Sequence, residues 1–252
     1  MGSEKPQQQL TLDNDEVAHF SRLSSQWWDT HGPLSALHKF NPLRVAYIRD
    51  HTAVHFGRDP TRSDSLAGLR ILDIGCGGGI LSEPLARLGA AVVGVDPSQS
   101  NIGVARRHAA QENLSIEYRG MTVEDLAAIG EAFDVVLAME VIEHVADVGL
   151  FVELAATTVK PGGLMFFATF NRTLKSFALG IVTAEYILRW VPRGTHRWRK
   201  FVTPVELETL IKRGGLRLIQ KTGVIYKILT HRWWLSSNLA VNYMIIAERP
   251  DD

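Results

Sequence analysis

The chain has little of what marks disulfide-rich, membrane-spanning or polyanion-binding proteins. Its single cysteine, Cys76, cannot form a disulfide within the chain, which favours a reducing compartment. Its 27 basic and 27 acidic residues balance, so no overall field attracts nucleic acid. No uncharged apolar run approaches the roughly 20 residues that cross a bilayer. We therefore expect a soluble or membrane-surface protein that does not bind nucleic acid.

The N-terminus lacks the pattern of a targeting segment. The stretch MGSEKPQQQLTLDNDE has neither the apolar core of a signal peptide nor the arginine-rich character of a transit peptide. We expect a mature or bacterial protein with a flexible N-terminus over residues 1–15. The length of 252 residues and the 46% hydrophobic content suit a single α/β domain over residues 16–252.

A glycine-rich loop lies between two apolar runs in the stretch ILDIGCGGGILSEPLARLGAAVVGVD, residues 71–96. The pattern predicts a strand over 71–74, a helix over 80–88 and a second strand over 91–95. Glycines at a strand-to-helix turn let the backbone approach a ligand, and the helix N-terminus beyond them offers free N–H groups. The loop is therefore predicted to hold a ligand.

The residues around this loop narrow the ligand. A dinucleotide fingerprint needs G-x-G-x-x-G, but Ile80 stands at the third glycine position after Gly75 and Gly77. Asp96 ends the second strand, where an acid accepts hydrogen bonds from both hydroxyls of an unphosphorylated ribose. The pattern favours a nucleoside without a pyrophosphate. A loop that only packs helix against strand is the alternative.

The segments LDIGCGGG and GVD resemble the first two motifs of class I S-adenosylmethionine (SAM)-dependent methyltransferases. The resemblance implies that Gly75 lies under the methionyl part of SAM and that Asp96 binds the ribose. It also implies a Rossmann-like α/β fold, with a seven-stranded, mostly parallel sheet and helices on both faces. Strand and helix patterns do alternate as far as residue 170, and LRLIQKTGVIY and VNYMIIAER are predicted to form a closing antiparallel hairpin.

Parallel strands end at one edge of a sheet, where binding loops gather. Gly75, Asp96, Thr122 and Met139 are all predicted to lie at that edge. Residues 20–48 and 171–201 fall outside the strand–helix alternation. We expect them to be an N-terminal helical addition and an insertion after the fifth strand.

A narrower resemblance covers residues 16–248. The segments WWD, LHKFNPLR, LDIGCGGG, EVIEHV, AEYILRWVPRGTH and VNYM, in this order, resemble the ubiquinone-biosynthesis O-methyltransferases. The resemblance implies methyl transfer from SAM to ring hydroxyls of polyprenylated catechol or demethylubiquinol intermediates. It assigns cofactor contacts to Arg44, Gly75, Gly77, Asp96 and Met139. A methyltransferase for another small acceptor, or a non-catalytic SAM- or lipid-binding subunit of a biosynthetic complex, are the alternatives.

The segment MEVIEHV contains candidate catalytic residues. Glu140, Glu143 and His144 stand at i, i+3 and i+4, which predicts one helical face beside the cofactor. A phenol with a pKa of about 10 needs a base or a metal to lose its proton near neutral pH. Family resemblance implies a Mg²⁺ site made of these three residues, although a histidine ligand suits zinc or manganese better. A metal site, and a general-base or structural role for His144, remain two open interpretations.

The insertion at residues 172–200 has the composition of a membrane-contacting segment. It has seven basic residues against one acidic residue, with apolar residues at helical spacing and Trp190 and Trp198 nearby. This pattern predicts a helix lying on an anionic membrane surface, with an ordinary core helix and basic loop as the alternative. The expected location is the cytoplasmic face of a bacterial inner membrane or the matrix side of the mitochondrial one, with a ubiquinone-biosynthesis complex as a partner. The tandem tryptophans Trp27–Trp28 and Trp233–Trp234 are predicted to serve packing.

Overall fold

The computed structural model describes residues 11–178, 198–227 and 232–251, and these form one large sheet with helices on both faces. The strands are β1 (Arg70–Ile74), β2 (Ala91–Val95), β3 (Glu117–Arg119), β4 (Phe133–Met139), β5 (Val159–Phe170), β6 (Arg217–Lys227), β7 (Arg232–Ser236) and β8 (Asn242–Glu248). The helices are α1 (Asn14–Arg22), α2 (Ser35–His55), α3 (Ser82–Arg87), α4 (Gln99–Gln111), α5 (Val123–Ile129), α6 (Val148–Thr157), α7 (Leu174–Ser176) and α8 (Pro204–Arg213). Short 3₁₀ turns lie at Ser24–Gln26 and Trp198–Lys200.

Strand order in the sheet is β3-β2-β1-β4-β5-β8-β6-β7. The first five strands are parallel, whereas β8 runs antiparallel to both β5 and β6. The predicted pairing of the two C-terminal segments is confirmed. The prediction of seven strands is wrong, because β7 pairs with β6 and adds an eighth strand within the described residues.

The central strands are buried on both faces, as a parallel sheet covered by helices requires. Neighbouring residues of a strand point to opposite faces, so Leu72 and Val136 join the core under α5, α6 and α8. Ile71 and Val135 join the core under α2 and α3 on the other face. The near-continuous apolar runs of these strands follow from this double burial.

Helix starts are fixed by side-chain caps at the carboxyl edge of the sheet. Thr122 forms a reciprocal capping box with Asp125 at the start of α5, and Asp147 accepts from the backbone N–H of Leu150 at the start of α6. These caps leave residues 140–147, between β4 and α6, as a connection at that edge.

Most of the insertion predicted to contact a membrane, residues 179–197, lies outside the described residues. In the part of the chain that the structure describes, no helix combines the length and apolar character needed to cross a bilayer. The helical N-terminal addition is present as α1 and α2.

Candidate active site

The first part of the site is the glycine loop between β1 and α3. Gly75 has a φ of 71°, and its N–H donates to the carbonyl of Val95 at 2.8 Å. A β-carbon at Gly75 would clash with the side chain of Val141, which follows β4. Gly75 therefore brings the glycine loop into contact with the segment that carries the other candidate residues.

The other glycines of this loop also make room for side chains of the chain itself. A β-carbon at Gly77 or Gly78 would overlap the ring of Trp27, and one at Gly79 would overlap the hydroxyl of Tyr118. The prediction that Gly77 contacts the cofactor stays a prediction. Gly77 and Gly78 allow the N-terminal segment to pack directly on the loop backbone.

Asp96 follows β2 and is held on both carboxylate oxygens. Its Oδ2 accepts from the backbone N–H of Gly77 at 3.0 Å, and its Oδ1 accepts from the N–H of Ser98 at 2.9 Å and from Asn101 Nδ2 at 3.3 Å. Burial raises the pKa of Asp96, and these donors oppose that rise. The carboxylate is therefore fixed in orientation, and it lines a cavity with Gly75, Met121 and Thr122.

Two cavities adjoin at the carboxyl edge of the sheet. The first is lined by Asp96 and by the ends of β2, β3 and β4, and the second is lined by α2 and by the ends of β1 and β4. The residues that line both are Phe20, Trp27, Gly75, Glu140 and His144. Met139 lines the second cavity only. Of the predicted site residues, all but Gly77 thus line one or both of these adjoining cavities.

Arg44 is an unusual buried cation in the second cavity. Its side chain donates through Nη2 to Asn41 Oδ1 at 2.9 Å, while its Nε has no hydrogen-bond partner. Burial lowers the pKa of this guanidinium, opposed by the nearby charges of Glu140 and Asp73. Burial also raises the pKa of Asp73 to about 6, although Ser82 Oγ donates to it. A buried guanidinium whose Nε lacks a partner is a ready site for a carboxylate, and the predicted cofactor SAM carries one.

The segment after β4 departs from the predicted helix. Residues 140–147 form bends and turns, and α6 begins only at Val148. Glu140 adopts a φ of 62°, a backbone conformation that residues other than glycine rarely adopt. This conformation ends the strand without starting a helix. Its N–H donates to the carbonyl of Ala168 at 2.9 Å, and its Oε1 accepts from Asn242 Nδ2 at 2.9 Å. The predicted single helical face for the three candidate residues is therefore wrong.

Glu143 is enclosed beside β5. Glu143 is 3% exposed. Its Oε2 accepts from Thr169 Oγ1 at 2.8 Å, and its Oε1 has no hydrogen-bond partner. Burial, and then the charge of Glu140, raise the pKa of Glu143 well above its ordinary value. The folded environment therefore favours the protonated form of Glu143.

His144 is held by the N-terminal helix. Its Nδ1 lies 3.0 Å from Glu16 Oε2, and Phe20 packs its ring edge-on against the imidazole. Lys200 donates to Asp13 Oδ2 at 2.6 Å and to Glu16 Oε1 at 3.3 Å, which ties α1 to the C-terminal end of the insertion. Burial acts against ionisation of Glu16, but hydrogen bonds from His144 and Lys200 give it a lowered pKa. The carboxylate facing His144 is therefore ionised.

The predicted magnesium site does not fit this arrangement. Glu140, Glu143 and His144 each engage a different partner, and no group of three His, Cys, Asp or Glu side chains suited to a metal ion occurs among the described residues. A cation bound by all three would require His144 to leave Glu16. The structure adds Glu16 and Asn101 to the site. Glu16 carries no local sequence signal, because its contact with His144 joins positions 128 residues apart, whereas Asn101 lies only five positions from Asp96.

Comparison with known proteins places this geometry in a family. The chain matches the family described as a methyltransferase domain over residues 44–221. Ubiquinone biosynthesis O-methyltransferases from Methylobacterium nodulans and Brucella anthropi are 58% and 57% identical to it over 240 residues, which cover 95% of this chain and 96% and 97% of theirs. The chain belongs to the ubiquinone biosynthesis O-methyltransferase family.

Membership confirms the family resemblance of the sequence segments and SAM as the cofactor of this O-methyltransferase. Solved structures agree on the fold. The magnesium protoporphyrin IX methyltransferase of Synechocystis superposes with a TM-score of 0.60 at 18% identity, covering 94% of this chain and 100% of that one. A SAM-dependent methyltransferase of Thermotoga maritima gives 0.62 at 19% identity, covering 93% and 99%. At such identities the likeness shows a Rossmann-like methyltransferase fold.

Proposed function

We propose that this O-methyltransferase transfers the methyl group of SAM to a ring hydroxyl of a polyprenylated catechol or demethylubiquinol in ubiquinone biosynthesis. The observation that carries the proposal is that Glu140 and His144 line both cavities, between the buried cation Arg44 and the buried acid Asp96. The names of its relatives, at 56% identity or more, support the pathway.

Cofactor binding follows from two buried groups of opposite charge. Arg44 binds the methionyl carboxylate through its unpartnered Nε and the adjacent guanidinium face, and Asp96 accepts from the ribose hydroxyls. SAM supplies a methyl group activated by a positively charged sulfur. Holding donor and acceptor in line then supplies much of the rate acceleration.

The proton of the ring hydroxyl is taken by His144 in the first candidate mechanism. Because Glu16 is ionised, it accepts a hydrogen bond from Nδ1–H of His144, which leaves Nε2 as the proton acceptor. As the phenolic oxygen bonds to the methyl carbon, the carbon–sulfur bond breaks and the phenolic proton passes to Nε2. The products are the methyl ether and S-adenosylhomocysteine.

A divalent cation held by Glu140 and Glu143, without His144, is the second candidate for activating the hydroxyl. The observation that favours it is the buried Glu143 Oε1, a carboxyl oxygen without a hydrogen-bond partner in a cavity that Glu140 also lines. Because burial raises the pKa of Glu143, cation binding there would displace a proton and would strengthen as the pH rises. Exhaustive chelation decides between the two: loss of turnover with SAM binding intact, restored by magnesium or zinc, supports the cation, and undiminished turnover leaves His144 as the base.

The function is tested by incubating the protein with SAM and a short-tailed catechol and detecting the methyl ether by mass spectrometry. We expect one ether per consumed SAM. Turnover of an unrelated small acceptor, with catechols inert, would favour a methyltransferase of another substrate. SAM binding without turnover of any acceptor would favour a non-catalytic subunit.

We also propose that the insertion docks the enzyme on an anionic membrane, where its polyprenylated substrate resides. Support comes from the described ends of the insertion, where Leu174 is 81% exposed and Phe177 44% exposed beside Lys175 and Arg172. An apolar surface flanked by cations suits the headgroup region of a bilayer. In a bacterium, the membrane surface that we propose for this enzyme is the cytoplasmic face of the inner membrane.

Liposome flotation tests this docking. The variant Leu174→Ser/Lys175→Glu is expected to lower recovery with anionic vesicles, while Val54→Ser/Arg107→Glu, a matched change on α2 and α4, leaves recovery unchanged. High salt is expected to lower wild-type recovery as well. Equal recovery of wild type and Leu174→Ser/Lys175→Glu would remove the insertion from the membrane contact.

A further inference from the structure

Trp27 lies flat against the backbone of the glycine loop. Its ring fills the space that β-carbons at Gly77 and Gly78 would occupy, and the residue is 8% exposed. Packing alone explains a ring in this position. The polar end of the indole, however, makes a contact that packing does not require.

Trp27 Nε1 donates to Asn101 Oδ1 at 2.9 Å, in the first turn of α4. An indole N–H is only ever a donor, so the amide atom that it meets must be the oxygen. The amide nitrogen of Asn101 is thereby turned to Asp96, where Nδ2 lies 3.3 Å from Oδ1. The Asp96 carboxylate only accepts, so it requires the same amide orientation, and the indole holds the other end of the amide in place.

Asp96 depends on such donors. It is 8% exposed, and burial opposes its charge while the N–H groups of Gly77 and Ser98 and the amide of Asn101 favour it. The Oδ1 that receives the amide also receives Ser98, so the two donors together set the rotation of the carboxylate. A ribose needs that rotation, since two vicinal hydroxyls must meet two fixed oxygens.

We propose that Trp27 is a positioning residue for the cofactor ribose, acting through Asn101 on Asp96. The proposal rests on the proposed use of SAM. It assigns to the N-terminal segment a part in cofactor selection: Trp27 orients the amide, the amide orients the acid, and the acid distinguishes a ribose from a sugar without hydroxyls.

Trp28 provides a matched control in the neighbouring position. Its Nε1 donates to the carbonyl of Gly78 at 3.0 Å, and its ring stacks on His108 at 3.5 Å between centroids. It therefore packs on the same loop and makes the same kind of hydrogen bond. It does not contact Asn101 or Asp96 in any described interaction.

The test compares two ligands in calorimetric titrations: S-adenosylhomocysteine and its 2′,3′-dideoxy analogue. In Trp27→Phe, which keeps an aromatic ring and loses the N–H, affinity for S-adenosylhomocysteine is expected to fall about threefold to tenfold. Affinity for the dideoxy analogue is expected to stay within about twofold, because that ligand does not use Asp96. Trp28→Phe is expected to leave both affinities within about twofold.

A second variant keeps the test decisive in the event that Trp27→Phe folds poorly. Asn101→Ala leaves the indole packing in place and is expected to give the same ligand-selective loss, and the double variant is expected to bind no more weakly than Asn101→Ala alone. Equal losses for both ligands, additive losses in the double variant, or unchanged affinity in Trp27→Phe would overturn the proposal. Failure of the wild type to bind S-adenosylhomocysteine would instead overturn the proposed function on which it rests.

Discussion

Two ends of the site are built in opposite ways. One is the end around Asp96, which we propose binds the ribose and call the ribose end, and the other is the turn over residues 140–145. Both oxygens of Asp96 are held by donors, and the adjacent backbone takes conformations that its glycines allow. In the turn, Glu140 has a left-handed φ, and Glu143 is a buried acid with an unpartnered oxygen. The first end is complete before a ligand arrives.

This difference separates binding from chemistry. A buried polar atom without a partner and a residue in a strained conformation each cost free energy, and they persist where function requires them. Under the proposed function, the ribose end recognises an unchanging part of the cofactor, and the turn has groups whose partners change as a proton and a methyl group move.

The largest effect is expected at the chemical end. His144→Gln keeps a polar side chain but removes the proton acceptor, so kcat is expected to fall about 100-fold to 10,000-fold with SAM affinity nearly unchanged. Steady-state kinetics and calorimetry measure the two quantities. His55→Gln, on an exposed position of α2, is the control. A fall in SAM affinity of the same size would show that the two ends are not separate.

The converse effect is expected at the ribose end. Asp96→Ala removes charge-assisted hydrogen bonds, so SAM affinity is expected to fall about 10-fold to 100-fold. Calorimetric titration measures it, with circular dichroism to confirm folding. Asp64→Ala, at an exposed ion pair with Arg62, is expected to leave affinity unchanged. Wild-type affinity in a folded Asp96→Ala protein would remove Asp96 from the site.

A smaller effect is expected from the N-terminal helix. Glu16→Gln keeps a hydrogen-bond acceptor for His144 but loses the negative charge, and kcat is expected to fall about tenfold. Asp15→Asn, one residue away and exposed, is the matched control. Measured kcat values that are equal in the two variants would leave Glu16 with no part in orienting the base.

The smallest effect concerns stability and its pH dependence. Burial raises the pKa of Glu143 above its ordinary value of 4.5, so the folded state holds this proton to a higher pH than the unfolded chain does, and the contribution of Glu143 to the free energy of unfolding falls as the pH rises from there. Glu143→Gln mimics the neutral acid. The free energy of unfolding of the variant, relative to that of the wild type, is therefore expected to increase as the pH rises. Urea denaturation between pH 5 and 8 measures this difference.

The control for this experiment is Glu153→Gln, at a partly exposed position of α6. It is expected to follow the wild type at every pH. A stability difference between Glu143→Gln and wild type that does not change with pH would show that Glu143 is ionised in the folded protein.

The positions of Gly75 and Asp96 in the fold were predicted correctly because their determinants are local, whereas their contacts with the cofactor stay predictions. Gly75 and Asp96 sit at the ends of β1 and β2, and the apolar runs and glycines that fix those ends are contiguous in the chain. The sequence also predicted that Arg44 and Met139 belong to the site, through the family resemblance. The structure places both at the second cavity.

The turn after β4 could not be predicted in the same way. The i, i+3, i+4 spacing of Glu140, Glu143 and His144 suits a helix, and nothing in the residue types shows that Glu140 takes a positive φ. The contact between Glu16 and His144 joins positions 128 residues apart, and that between Trp27 and Asn101 joins positions 74 apart. The available sequence signal for Trp27 was the pair of consecutive glycines, Gly77 and Gly78, which leave room for a large side chain.

The bridge from Lys200 to Asp13 also has a consequence for the order of events on the ribosome. The two residues are 187 positions apart, so α1 emerges early and its partner late. The contact cannot form until most of the chain has been synthesised, whereas the glycine loop and Trp27 are available well before. During translation the anchoring of α1 by Lys200 is therefore expected only as the last third of the polypeptide is completed.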